Sequence, residues 1–140
     1  MVCFDGSPAA EDALAFGELP ASGSGARLVV TCVYICRPVV AMPSGERARA
    51  TAARAGGRLL GRCRWQPLAV PAPSREDGLL AVAGAERAVA VVIGSSRRRR
   101  GRRTIAERLV RTRTGAAVVV APVGFRARVA ELIDTRVGVR

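Results

Sequence analysis

The run Val89-Ala90-Val91-Val92-Ile93-Gly94-Ser95-Ser96, followed at once by Arg97-Arg98-Arg99-Arg100-Gly101-Arg102-Arg103, decides the fold of this chain. A wholly apolar strand is normally buried on both faces, as in parallel sheets covered by helices on both sides. In an open α/β sheet, ligands bind beyond the carboxyl ends of the strands. Here that place carries Gly94, two hydroxyls and six arginines, so the stretch points to an anion, most simply a phosphate.

Working outward, the rest of the chain alternates strand and helix. Val2 to Phe4 reads as a short strand broken by Asp5-Gly6-Ser7-Pro8, in which Ser7 supplies a capping hydroxyl and Pro8 the first helical position. Ala10, Ala13, Leu14 and Gly17 form one face of the helix that follows, and Pro20 with Ser22-Gly23-Ser24-Gly25 is expected to end it. Leu28 to Tyr34 is the second strand. A loop through Pro38 and Pro43 leads to an Ala/Arg-rich helix from about Glu46 to Leu60, weakened by Gly56-Gly57.

Trp65 to Val70 is a third strand closed by Pro71-Ala72-Pro73. Ser74, with Asp77 three residues on, resembles a capping box opening a helix over Leu79, Leu80, Val82 and Ala83. The buried strand Ala88 to Ile93, the arginine loop and a helix from Thr104 to Thr112 come next, then Gly115 and a fifth strand, Ala116 to Ala121, halted by Pro122. This alternation implies a parallel sheet with right-handed crossovers. Residues 1–122 form the expected α/β domain, and 123–140 a tail with one short helix around Arg126 to Ile133.

Composition bounds the class. The 140 residues are 49% hydrophobic, and no apolar run reaches the roughly 18 residues that suggest a membrane helix. The opening residues lack both a basic leader segment and a leader-length apolar stretch, so a cytoplasmic location is expected. All 23 basic residues are Arg, Lys, His and Asn are absent, and the formal charge is +12. A GC-rich genome would favour Arg in this way, but it does not explain the placement. Residues 1–93 hold ten Arg against eight acids, whereas 94–140 hold thirteen against three. Such asymmetry speaks of partners rather than of fold.

Four cysteines, Cys3, Cys32, Cys36 and Cys63, do not read as a zinc site. Only Cys32 and Cys36 are close in sequence, and without His all four thiols would have to converge. Cys3 and Cys32 fall in apolar strands, where free Cys behaves as a small hydrophobe. An enzyme is the least supported class: there is no His, Lys or Walker motif, and Asp5 is the only carboxylate placed near the crevice. Turnover beyond slow ATP hydrolysis is therefore not expected, and no catalytic residue is named.

Three separated segments agree with one family. Val2-Cys3-Phe4-Asp5-Gly6-Ser7-Pro8-Ala9-Ala10, the second strand ending Val33-Tyr34, and Ile93-Gly94-Ser95 with Ile105-Ala106-Glu107-Arg108-Leu109 and Val118-Val119-Val120-Ala121-Pro122 resemble the universal stress protein family. The resemblance covers residues 1 to about 122. It implies an α/β fold of the Rossmann-like, adenine nucleotide alpha hydrolase type, an open five-stranded parallel sheet in the order 3-2-1-4-5 with helices on both faces. The loops after Phe4 and Ile93 would then face each other across a crevice.

In the family's ATP-binding branch, the residues matching Asp5 and Val33 hold the nucleoside, with Gly6 and Ser7 in the same turn. The loop matching Gly94-Ser95 and the hydroxyl matching Thr104 hold the phosphates. The implied cofactor is ATP or another adenine nucleotide, with no metal beyond a nucleotide-bound Mg. Family members commonly dimerise through the strand matching Ala116 to Ala121, so a homodimer is implied here.

Independently of the family, Asp5 at a strand end can accept from ribose hydroxyls, Gly94 lets the backbone approach a phosphate, and the amides near Thr104 suit an anion. The glycine pattern of the ATP-binding branch is broken. Counting from Gly94, its second Gly falls on Arg97 and its final pair on Glu107-Arg108. Aligned instead on Glu107-Arg108-Leu109, Arg103 stands where the last Gly belongs, Gly101 is out of register and the loop is about four residues short. Guanidinium forks such as those of Arg97 and Arg103 can replace amides as phosphate ligands. The alternative is a domain that binds no nucleotide and whose basic loop binds polyanions such as nucleic acid non-specifically, through phosphates and with steep salt dependence. No aromatic residue interrupts the arginine run, so base stacking is not expected.

Overall fold

The computed structural model describes residues 1–36, 43–61, 63–95, 103–112 and 114–137. The elements run β1 (Val2–Cys3), α1 (Pro8–Ser24), β2 (Leu28–Ile35), α2 (Pro43–Arg54), β3 (Trp65–Ala72), α3 (Arg75–Ala85), β4 (Ala90–Gly94), α4 (Ile105–Arg111), β5 (Ala117–Ala121) and α5 (Phe125–Val137), with a 3-10 turn at Ala55–Arg58 after α2. All strand pairs are parallel and the order is β3-β2-β1-β4-β5. The sheet order and helix layers expected from the sequence are those observed.

The alternation of strand side chains assigns the two faces. Val2, Val30 and Val92 share one face, packed with Phe4, Ala13 and Leu14 beneath α1. On the opposite face Val91 and Ile93 pack against Leu79 of α3 and Leu109 of α4. Val91, Val92 and Ile93 are all buried, as a strand covered on both sides must be. Leu14, Leu79 and Leu109 are fully buried, and truncating a leucine at such a site costs about 2–5 kcal/mol. Among the described residues no helix is long and apolar enough to cross a membrane.

Several element boundaries differ from the sequence reading. α2 spans Pro43–Arg54 rather than Glu46 to Leu60, and β4 begins at Ala90 rather than Ala88, which leaves Val89 exposed before the strand. Two further differences have a tertiary reason. The first helix does not end at Pro20: it continues to Ser24 and closes on Gly25, whose φ of 68° suits a glycine cap. Pro20 is exposed, while Gly17 and Ala21 on either side are buried, so packing holds the helix through the proline. The third strand likewise continues past Val70 to Ala72. β3 is a sheet edge, and its bonds to β2 use the carbonyls of Arg64 and Ala72. By alternation Pro67 and Pro71 then turn their amide-less nitrogens to the open side, where no ladder bond is lost.

The tail helix is longer than expected, Phe125–Val137, and it packs on α1. The buried carboxylate of Asp12 accepts the amides of Gly124 at 2.8 Å and Arg126 at 2.9 Å, and so caps α5 from another element. Phe16 and Phe125 meet as a tilted pair, ring centroids 5.0 Å apart and planes at 56°. A second buried carboxylate, Glu18, accepts the amides of Leu60 and Gly61 and ties the chain beyond the 3-10 turn to α1.

Candidate functional site

All five strands point their carboxyl ends to one edge of the sheet. The order places the topological switch between β1 and β4, because the chain winds outward from β1 through β2 to β3 and then returns to β4. A cleft of about 170 Å³ opens there. Asp5 and Ser7 enter it from the β1–α1 turn, Gly94 and Ser95 from the end of β4, and Thr104 from the start of α4. The cleft also takes Cys3, Arg75, Ile93 and Val120 into its walls.

The β1–α1 turn is fixed locally. Gly6 adopts φ 81°, a conformation that side chains rarely tolerate. Ser7 is the N-cap of α1, its hydroxyl accepting the Ala10 amide at 3.2 Å, with Pro8 next in the helix. Asp5 Oδ1 accepts the Ser7 amide at 3.0 Å, and Oδ2 lies 3.5 Å from Arg75 Nη1. Burial pushes the Asp5 carboxyl up, but the Ser7 hydroxyl and amide and the Arg75 guanidinium together outweigh it and hold Asp5 below the usual carboxylate range. Asp5 is therefore an anion and an acceptor at neutral pH, and a weak base.

Gly94 has a second reason for being glycine. A Cβ built there would lie 2.2 Å from the Ala9 carbonyl oxygen and 2.8 Å from the Ala9 Cβ. The missing side chain is the room through which the first turn of α1 crosses the end of β4. Thr104 is also engaged. Its hydroxyl accepts the Glu107 amide at 3.3 Å and its own amide donates to Glu107 Oε2 at 3.0 Å, a reciprocal capping box.

Cys3 is held as a thiol. Burial pushes it up to about 12, the nearby Asp5 charge adds to the rise and Arg75 opposes it. Among the described residues no group of three or more His, Cys, Asp or Glu is placed to hold a metal.

Of the residues singled out from the sequence, Asp5, Ser7, Gly94, Ser95 and Thr104 come together around this cleft. Gly6 lines a neighbouring cavity with Phe4, Glu11, Arg54 and Arg58 on the other side of the turn. Val33 packs into the α3 face, where a Cβ on Gly78 would sit 2.6 Å from its Cγ1, and it is not part of the cleft wall. Arg103 is exposed, while Arg97 and Gly101 lie outside the described residues. Sequence reasoning missed Arg75. The available signal was Ser74, which caps α3 directly after β3 and so puts Arg75 on the same sheet edge as Asp5.

The sheet and its helices are similar to those of solved universal stress proteins. One from Archaeoglobus fulgidus superposes with a TM-score of 0.70 at 18% identity, over 86% of this chain and 96% of that one. A universal stress protein solved in complex with cAMP gives 0.69 at 20% identity, over 87% and 95%. A protein of the universal stress protein family from Burkholderia pseudomallei gives 0.58 at 22%, over 86% and 93%. At these identities the likeness is one of fold. No protein-family model and no curated protein matches the sequence.

Proposed function

We propose that this chain is a universal-stress-type module that binds an adenine nucleotide in the crevice between β1 and β4 and signals by binding rather than by turnover. One observation carries the reading: five of the residues singled out from the sequence for a nucleotide, Asp5, Ser7, Gly94, Ser95 and Thr104, line a single cleft at the switch point. Asp5 is an anionic acceptor suited to ribose hydroxyls. Gly94, Ser95 and Thr104 lie where the phosphates would enter, and the arginines expected to supply guanidinium forks there, Arg97 to Arg102, fall outside the described residues. That a protein of this fold is known with cAMP adds support.

Isothermal titration with ATP, ADP and AMP tests the proposal. Saturable binding by at least one of them is expected, and no heat at millimolar nucleotide rejects it. Mass spectrometry of small molecules released from the purified protein gives an independent readout.

A second reading has its own observation, the thirteen arginines against three acids in residues 94–140. In it the basic segment binds nucleic-acid phosphates without sequence preference. Retention on heparin or DNA that vanishes as salt rises supports this reading, and retention that survives high salt contradicts it. A homodimer through β5 fits either case, since β5 is a sheet edge and Val120 on it is 47% exposed. Sedimentation reads the oligomeric state directly.

A further inference from the structure

We infer that Arg75 is the side chain that takes the ligand's phosphate, exchanging its contact with Asp5 for the incoming anion, so that this cleft selects a nucleoside monophosphate over the free nucleoside. The inference rests on the nucleotide reading above and adds to it a residue, a ligand class and an order of events.

Among the described residues lining the cleft, Arg75 is the only cation and Asp5 the only carboxylate. The two neutralise each other. Their separation of 3.5 Å exceeds the roughly 2.7–2.9 Å of a tight charge-assisted hydrogen bond. Both side chains are about half exposed, at 50% and 42%, and exposed pairs contribute little that an incoming ligand must overcome. A phosphate carries more charge than a carboxylate and accepts a guanidinium fork bidentately, so it competes well for Arg75.

Arg75 is the one formal positive charge among the described cleft residues, and several of the neutral groups expected to meet a phosphate are already engaged. The Thr104 amide donates to Glu107 and its hydroxyl accepts the Glu107 amide, and the Ser7 hydroxyl accepts from Ala10, so the hydroxyls there, with Ser95, add neutral donors beside the guanidinium. The side of Gly94 where a side chain would stand is filled by the Ala9 carbonyl. Arg108, the nearest cation of α4 in sequence, is paired with Glu76 at 2.9 Å. Arg75 stands on a fixed base. The Ser74 hydroxyl accepts the Asp77 amide at 3.1 Å and donates to Asp77 Oδ2 at 2.7 Å, which anchors the first turn of α3, while the half-exposed guanidinium is held only by its long contact with Asp5.

The exchange couples the two ends of the ligand. As Arg75 turns to the phosphate, Asp5 Oδ2 loses its guanidinium and becomes available to a ribose hydroxyl, while Oδ1 stays on the Ser7 amide. A free nucleoside offers Arg75 nothing in return, so it must compete with the guanidinium for Asp5.

The test is calorimetric titration of the full chain, wild type, Arg75→Gln, Arg75→Lys and Asp5→Asn, with AMP, adenosine and inorganic phosphate, with circular dichroism to confirm folding. Wild type is expected to favour AMP over adenosine by at least about tenfold, and Arg75→Gln to lose roughly 10- to 100-fold for AMP with no loss for adenosine. Arg75→Lys retains part of the preference. Asp5→Asn, which leaves Arg75 without its carboxylate, binds inorganic phosphate severalfold more tightly than wild type. AMP binding unchanged in Arg75→Gln, AMP and adenosine weakened by the same factor, or phosphate binding unchanged in Asp5→Asn overturns the inference while leaving nucleotide binding intact. Wild type that binds neither AMP nor adenosine overturns the nucleotide reading and this inference with it.

Discussion

Replacing Gly94 by alanine places a methyl group where the backbone of Ala9 already is. The new Cβ would lie 2.2 Å from the Ala9 carbonyl oxygen, 2.4 Å from its carbon and 2.8 Å from its Cβ, and all three need about 3.4 Å or more. The obstacle is mostly backbone in the first turn of α1, so no rotamer change relieves it. Either β4 or the start of α1 must move by about 1 Å, which disturbs the Ser7 cap and the buried contacts of Ala10 and Ala13. Overpacking of this kind typically costs about 1–3 kcal/mol, and a backbone clash belongs at the top of that range. For a domain of this size about 3 kcal/mol corresponds to a fall in Tm of the order of 10 °C.

Urea unfolding monitored by circular dichroism measures the loss, and Gly23→Ala is the control. Gly23 lies within α1, and a methyl group added there would meet nothing within 4 Å, so alanine is expected to stabilise by about 0.5–1 kcal/mol. If Gly94→Ala unfolds within about 0.5 kcal/mol of wild type, then α1 does not cross β4 as closely as described, and the packing reason for this glycine is wrong.

Removing the buried Glu18 carboxylate in Glu18→Ala takes the acceptor from the amides of Leu60 and Gly61, and a loss of about 1–3 kcal/mol is expected by urea unfolding. Asp12→Ala uncaps α5 from the side of α1; it should cost about 1–3 kcal/mol and speed amide exchange across Phe125–Val137 more than across α3. Cys36 is exposed, whereas Cys3 is pushed up to about 12, so iodoacetamide at pH 8 should label Cys36 well before Cys3. Because the Cys3 thiol is raised from 9.0 in the folded state, its contribution to stability is complete below pH 9 and declines as pH rises toward 12. Equal labelling of the two thiols contradicts that placement.

The features legible in the sequence are those that residues settle with their neighbours. Ser7 and Ser74 each cap the helix expected of them, because a cap needs only its own first turn; Thr104, read as the start of a helix, is its cap as well. Within the apolar run, Val91 to Ile93 are covered on both faces as the sequence announces, while Val89 lies before β4 and is exposed. Pro20 misleads because its cost is local while the burial of Gly17 and Ala21 that outweighs it is tertiary. The same holds for Pro67 and Pro71, harmless only on an outer edge.

The site divides in the same way. The sequence reading singles out Asp5, Ser7, Gly94, Ser95 and Thr104, which meet at one cleft; the local hydrogen bonds of Ser7 and Thr104 follow from their caps, but two contacts that shape the cleft come from far along the chain. Arg75 meets Asp5 across 70 residues of sequence, and Ala9 fills the space beside Gly94. Val33 has the right position at the end of β2, but its packing against Gly78 of α3 depends on a crossover that no local pattern reveals.

Entry of an adenine nucleotide into the crevice between β1 and β4 is read most directly by amide chemical-shift mapping of isotopically labelled protein titrated with AMP. Saturable shifts are expected, concentrated at Asp5 to Ala10, Arg75, Gly94-Ser95 and Thr104 to Ala106, the turns that surround the cleft. Shifts confined to the exposed Arg103 and Arg111 and erased by moderate salt, or no shifts at millimolar AMP, would contradict it.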